Sequence, residues 1–215
     1  MSSPFDQSTY QVRFDWGADG LARLAAADVY VVVDVIGFSS RAAAAVRADG
    51  TAPLGGAPDA PGDGRDADDG AALARAAAAQ PHTPLVIAGA LRNASAVARA
   101  IRAEQERRGG RTFVAVLAAG ERDPRSAGIR FAVEDQLGAG AIIDALAALG
   151  IDHSSPEAVV AAESFVALRR AVRHLLTASG SGRARADMRD EVRAAAAVDD
   201  LDVVPVVRDG ALSPL

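Results

Sequence analysis

The chain of 215 residues contains no cysteine, which excludes disulfides, thiolate metal sites and cysteine nucleophiles. Histidine is nearly as scarce, and His82, His153 and His174 stand far apart in the sequence. Their separation argues against a histidine metal site or a Ser-His-Asp triad; surface or capping roles suit all three. No apolar run approaches the roughly 20 residues that a membrane-spanning helix needs. The segment Met1 to Asp19 is polar and lacks the basic-then-apolar pattern of a signal peptide. The cytoplasm is therefore the expected location, and the missing cysteines suit it. A net charge of −5 argues against general nucleic-acid binding. There is no Walker A loop, no G-x-G-x-x-G after a strand, no H-E-x-x-H and no G-x-S-x-G. Arginine dominates the basic residues and alanine the apolar ones, a compositional bias that carries no function.

What is present is an alternation of strand-like and helix-like segments. Tyr10–Trp16 is short and alternating, as at a sheet edge, and Leu21–Ala27 reads as a helical turn. Val29–Ile36 is β-branched without alternation, the pattern of a strand buried on both faces. Ser39–Ala48 reads as a helix capped by Ser39 or Ser40, and Thr51–Leu54 as a second short strand. Gly55–Gly70 is rich in Gly, Pro and Asp and reads as a loop. Next come a helix over Ala71–Gln80, a strand over Pro84–Ala88 and a helix over Ala96–Arg108 opened by Asn93 or Ser95. That helix stops at Gly109-Gly110, and Thr112–Leu117 is a further buried strand. Helices are expected over Phe131–Leu149, Pro156–Ser179 and Met188–Ala197, with a polar turn at Ser181–Asp187. Pro205 places the last strand, Asp202–Val207, at an edge. The alternation predicts a single three-layer α/β/α domain over 1–215 with a mostly parallel or mixed sheet. Two strand-to-acidic-loop units, at Asp34 and Glu121, hint at similar halves of about 1–110 and 111–215.

The chemistry rests on carboxylates. Asp34 closes the buried strand just before a helix start, where open α/β folds place ligands, although a turn cap would look the same. Glu121 follows another strong strand, and parallel strands deliver their ends to one edge, so Asp34 and Glu121 are expected to converge there. Oxygen ligands without thiol or imidazole suit Mg²⁺. Glu134 and Asp135 open a helix, as dipole partners also do. Asn93 reads equally as a cap, and Arg122, Arg125 and Arg130 either hold an anion or are solvated.

Four blocks in order carry a family resemblance. Val31–Ser40 looks like D-V-L-R-A-(S/T)-(T/S), and Gly89-Ala90-Leu91-Arg92-Asn93-Ala94 with Val97-Ala98 looks like G-(S/C)-(L/F)-x-N-A-x-x-V-A. Ala119-Gly120 with Phe131–Gly140 is similar to A-G…F-x-x-E-D-x-x-x-A-G. The tail adds Ser181-Gly182-Arg183, Asp190, Ala195, Val203-Val204-Pro205 and Asp209-Gly210. Together these resemble the 2-phosphosulfolactate phosphatase family over most of residues 29–210. Gly37 stands where the family has arginine, with Arg41 nearby. The family's G-E-R-G-G loop is met only by Leu54-Gly55-Gly56-Ala57-Pro58, its T-N-G-T turn only by Asp69-Gly70-Ala71, and Pro53 to Pro84 is short.

The resemblance implies a Mg²⁺-dependent phosphatase that hydrolyses a small phosphate ester of an acidic hydroxy acid. It implies Asp34 and Glu121 as catalytic carboxylates, and Asp34, Glu134 and Asp135 as metal ligands. Ser39, Ser40 and the amides of their helix start would hold phosphate, with Arg41 and Asn93 on the substrate side. The expected partner is a small phosphorylated acid, not nucleic acid or membrane, and the alanine-rich helices suit a homodimer. The departures motivate an alternative: a non-catalytic family member that binds a small anion or acts as a subunit. A rebuilt site for another substrate is a third reading.

Overall fold

A computed structural model describes residues 3–55, 69–122 and 128–215. The chain forms β1 (Val12–Trp16), α1 (Gly17–Arg23), β2 (Val29–Val33), α2 (Phe38–Asp49), β3 (Ala52–Pro53), α3 (Asp69–Ala78), β4 (Leu85–Gly89) and α4 (Ala94–Arg108). It continues through β5 (Val114–Ala118), the short strands β6 (Glu121–Arg122) and β7 (Ile129–Arg130), α5 (Val133–Ala148) and α6 (Pro156–Leu168). The remainder is α7 (Val172–Ala178), α8 (Gly180–Ala184), α9 (Arg189–Ala195), β8 (Pro205–Arg208) and β9 (Ala211–Pro214).

One mixed sheet runs in the order β1-β5-β2-β4-β8-β9-β3, with β1, β5, β2 and β4 parallel and the rest antiparallel. β5 lies between β1 and β2, so both halves of the chain build one sheet. Helices cover both faces, the three-layer α/β/α arrangement that the alternation predicts. In β2 the side chains divide between the layers: Val29, Val31 and Val33 join the core with Leu137 and Ile142, while Tyr30 and Val32 join the core with Ala74. That double cover is why Val29–Val33 lacks polar alternation.

Several elements differ from their expected form. Pro205 is the first residue of β8, where a missing N–H is tolerated, and β8 lies inside the sheet between β4 and β9. The sheet gains β9 from Ala-Leu-Ser-Pro, which lacks the β-branched signal of a strand. Asp209 and Gly210, both at positive φ (50° and 76°), make the tight turn that returns it. The stretch Pro156–Ser179 is two helices divided by a 3₁₀ turn at Arg169–Ala171, where no side chain is buried. Its buried positions Ala158, Ala161, Phe165, Val172 and Leu176 keep a helical spacing across the break, which is why it reads as one helix. Ser181–Asp187 begins as the short helix α8, capped by the Ser179 hydroxyl, which accepts from Gly182 N at 3.0 Å. α1 starts at Gly17 rather than Leu21. Most of the loop expected over Gly55–Gly70 lies outside the described residues, and α3 already begins at Asp69. Among the described residues no helix is long and apolar enough to cross a membrane.

Candidate active site

The four parallel strands end in one row, Trp16 beside Ala118, Ala118 beside Val33, and Val33 beside Gly89. Their loops carry Asp34, Gly120-Glu121 and Asn93, so the topology delivers these residues to the edge where open α/β sheets bind ligands.

Asp34 is half-buried and organises the start of α2. Its Oδ2 accepts from Phe38 N at 2.9 Å and its main-chain oxygen accepts from Ser39 N at 3.0 Å. The Ser39 hydroxyl accepts from Asp34 N at 3.0 Å and donates to Val32 O at 2.8 Å, while that of Ser40 donates to Val35 O at 2.7 Å. The expected serine cap is thus replaced: Gly37 is the capping residue, makes no side-chain cap, and Asp34 supplies the bond. The serines turn their hydroxyls back onto the strand exit because both are buried, and a buried hydroxyl needs a partner. Two glycines crowd this carboxylate. At Gly37 a Cβ would fall inside contact with Asp34 Oδ1, and at Gly70 it would fall 2.6 Å from Oδ2 and 2.7 Å from Phe38 Cβ. The starts of α2 and α3 therefore close on Asp34, and their dipoles favour its charge.

Asp135 joins two strand exits. Its Oδ1 accepts from Val35 N at 2.7 Å and its Oδ2 from Gly120 N at 3.0 Å. Burial pushes its carboxyl well above the usual carboxylate range, helped by the charges of Asp34 and Glu134 and opposed by the two amides. Glu134 is buried at 3% exposure, and its Oε2 has no hydrogen-bond partner among the described residues. One turn further along α5, Gly138 packs so tightly on Val33 and Val35 that it admits no side chain. That contact seats the start of α5 on the β2 exit.

The structure brings together Asp34, Glu134 and Asp135. Glu121 pairs with Arg130 across the β6–β7 ribbon. Arg130 reaches on to α8, where a Cβ on Gly180 would lie 2.6 Å from its Nη2. Asn93 is fully buried; its Oδ1 accepts from Ala90 N at 2.8 Å, and its Nδ2 donates to Ala88 O at 3.2 Å and Val203 O at 3.0 Å. It does not cap α4. Ser95 at that helix start is held by Asp199, whose carboxylate accepts from its amide and hydroxyl at 2.7 Å each. Arg41 is exposed on the first turn of α2.

No group of three or more His, Asp or Glu among the described residues is arranged to hold a metal ion. Mg²⁺, however, commonly takes one or two carboxylates and completes its shell with water and substrate phosphate. The unpartnered Glu134 Oε2, in the field that Asp34 also contributes, fits that lighter demand. The chain has no lysine, so its fixed cations are arginines.

The model of the 2-phosphosulpholactate phosphatase family matches residues 70–210, well over half of the chain. The chain belongs to this family. The match takes in Asn93, Glu121, Glu134 and Asp135, whereas Asp34, Ser39, Ser40 and Arg41 precede it. No curated protein matches the chain. For a member of the 2-phosphosulpholactate phosphatase family, two glycines inside the quoted motif blocks bear on the site without being among the expected site residues: Gly70, which packs on Asp34, and Gly120, whose amide holds Asp135. The available signal was a glycine next to an acidic residue, Asp69 before Gly70 and Glu121 after Gly120.

Proposed function

We propose that the chain is a phosphatase acting on a small phosphate monoester of an acidic hydroxy acid, with Mg²⁺ as cofactor. The observation that carries this reading is the buried Glu134 Oε2, which has no partner among the described residues and stands with Asp34 in the field acting on Asp135. Buried carboxylates that repel one another call for a cation, and so does an incoming phosphate dianion.

Asp34 and Glu134 would hold Mg²⁺, whose chemistry is to neutralise phosphate charge and lower the pKa of bound water. Asp135 keeps the Val35 and Gly120 amides fixed and so sets the spacing of the strand exits. Ser39 and Ser40 act through the turn they tie, positioning the start of α2 against phosphate oxygens. Arg41 supplies positive charge beside that turn, and Asn93 braces the neighbouring loop. Glu121, engaged with Arg130, stays outside the reacting set. In the reaction the water oxygen bonds to phosphorus, the ester P–O bond breaks, and the alcohol leaves with a proton beside inorganic phosphate. Most of the rate acceleration in such a transfer comes from placement and electrostatics. A negatively charged chain without cysteine suits work on a small solute in the cytoplasm.

Phosphate release from a panel of phosphorylated hydroxy acids, with Mg²⁺ or with a chelator, tests the reading. Release that needs Mg²⁺ and falls to background in Asp34→Asn is expected. No release above that variant's background would overturn it.

A further inference from the structure

Beside Asp34 the surface opens into a groove of about 520 Å³. Gly37 and Ser40 form part of its wall, so it is continuous with the turn that carries the candidate catalytic carboxylate. Its floor is apolar: Val35, Ile36, Ala44 and Ala45 from the strand exit and α2, with Val192 and Ala195 facing them from α9. The one hydroxyl there, on Ser40, is spent on Val35 O at 2.7 Å. Three arginines line it, Arg41, Arg92 and Arg185, against a single acid, Glu191. Arg92 is held in place by Asp200, which accepts from its Nε at 2.9 Å and its Nη2 at 2.6 Å.

An apolar floor with a few fixed polar groups, in a cleft of roughly 300–1,000 Å³, is how proteins hold small organic ligands. A short acid with charge at every carbon would leave these aliphatic side chains in contact with water. An aliphatic chain laid along them would remove that surface from water, at about 0.8 kcal/mol per buried methylene. Gly37 has a structural reason to be there, since a side chain at that position would collide with Asp34.

We propose that this groove is a subsite for the non-reacting part of the substrate, and that this part is an aliphatic chain. The position of the phosphate rests on the phosphatase reading; the groove does not. The direct test is calorimetric binding, with Mg²⁺ present, of two non-hydrolysable analogues, 2-(phosphonomethyl)propanoate and 2-(phosphonomethyl)octanoate. The octanoate binds about tenfold or more tightly than the propanoate. Ala44 is exposed, so Ala44→Trp can fill the groove without disturbing the core; it removes the octanoate's advantage and leaves the propanoate unchanged. Equal affinities in the wild type, binding of neither analogue, or a preference that survives Ala44→Trp would overturn the proposal. So would a dimer that Ala44→Trp converts to monomers in sedimentation, because a second copy would then cover the groove. Chain-dependent binding without phosphate release from the matching esters would keep the subsite and overturn the catalytic reading.

Discussion

Asp135 Oδ1 accepts the Val35 amide at 2.7 Å, joining the start of α5 to the exit of β2 across 100 residues of chain. Its other oxygen takes the Gly120 amide, so one carboxylate holds two strand exits. An asparagine has one oxygen and one NH₂ group, and one of those amides would then face a donor. Asp135→Asn is expected to lower kcat at least tenfold while shifting the urea midpoint only modestly. The lost hydrogen bond costs about 1–3 kcal/mol and is partly offset by removing a buried charge. Paired rate and denaturation measurements check this, and an unchanged kcat would contradict it.

Gly70 touches no catalytic bond in the proposal, yet it sets how closely α3 approaches Asp34. A Cβ there would lie 2.6 Å from Asp34 Oδ2 and 2.7 Å from Phe38 Cβ, and real contacts do not tolerate such distances. Gly70→Ala must therefore displace either the carboxylate or the helix. Steric insertion of this kind costs about 1–3 kcal/mol. The expected result is a folded protein whose kcat/KM drops about a hundredfold, read alongside circular dichroism to confirm the fold.

Asn93 separates a structural role from a substrate role. Its side chain makes three hydrogen bonds and is fully buried, so Asn93→Leu leaves Ala90 N, Ala88 O and Val203 O without this partner. Chemical denaturation should show a loss of about 2–3 kcal/mol, the cost of buried groups left unsatisfied. A variant of wild-type stability with raised KM would instead place Asn93 on the substrate.

Away from the site, hydrogen bonds from Arg107 and Arg108 hold the Glu104 carboxyl down at about 2. A depressed carboxylate stabilises the fold fully above its ordinary value of 4.5 and loses that contribution as pH falls from there through about 2. Arg107 is largely exposed, so screening leaves about 1 kcal/mol of stabilisation. Glu104→Gln should cost that much at neutral pH and only a small fraction of it near pH 2, measured by urea titration at each pH.

The layers and the strand exits were legible because burial writes itself into composition: Val29–Val33 has no polar residue since both its faces are covered. Position at strand exits and helix starts also drew attention to Asp34, Glu134 and Asp135, whose roles remain part of the proposal. β9 was hidden because its four residues carry no β-branched side chain, and the 3₁₀ turn at Arg169–Ala171 because the apolar spacing runs through it. The fate of Ser39 and Ser40 was unreadable for a different reason. Asp34, five residues before Ser39, competes for the same amides, and which oxygen wins depends on a turn geometry that spacing does not encode. The pairing of Glu121 with Arg130 was not legible either, because the two meet only once β7 pairs with β6.

The central claim is that Glu134 and Asp34 hold a Mg²⁺ ion for phosphate-ester hydrolysis. Its most direct measurement is the rate of phosphate release from a phosphorylated 2-hydroxy acid as Mg²⁺ is titrated, for the wild type and Glu134→Gln. We expect saturation with Mg²⁺ in the wild type and at least tenfold more metal needed by the variant, in line with the loss of one of two protein ligands. Turnover independent of Mg²⁺, or a Glu134→Gln curve lying on that of the wild type, would contradict it.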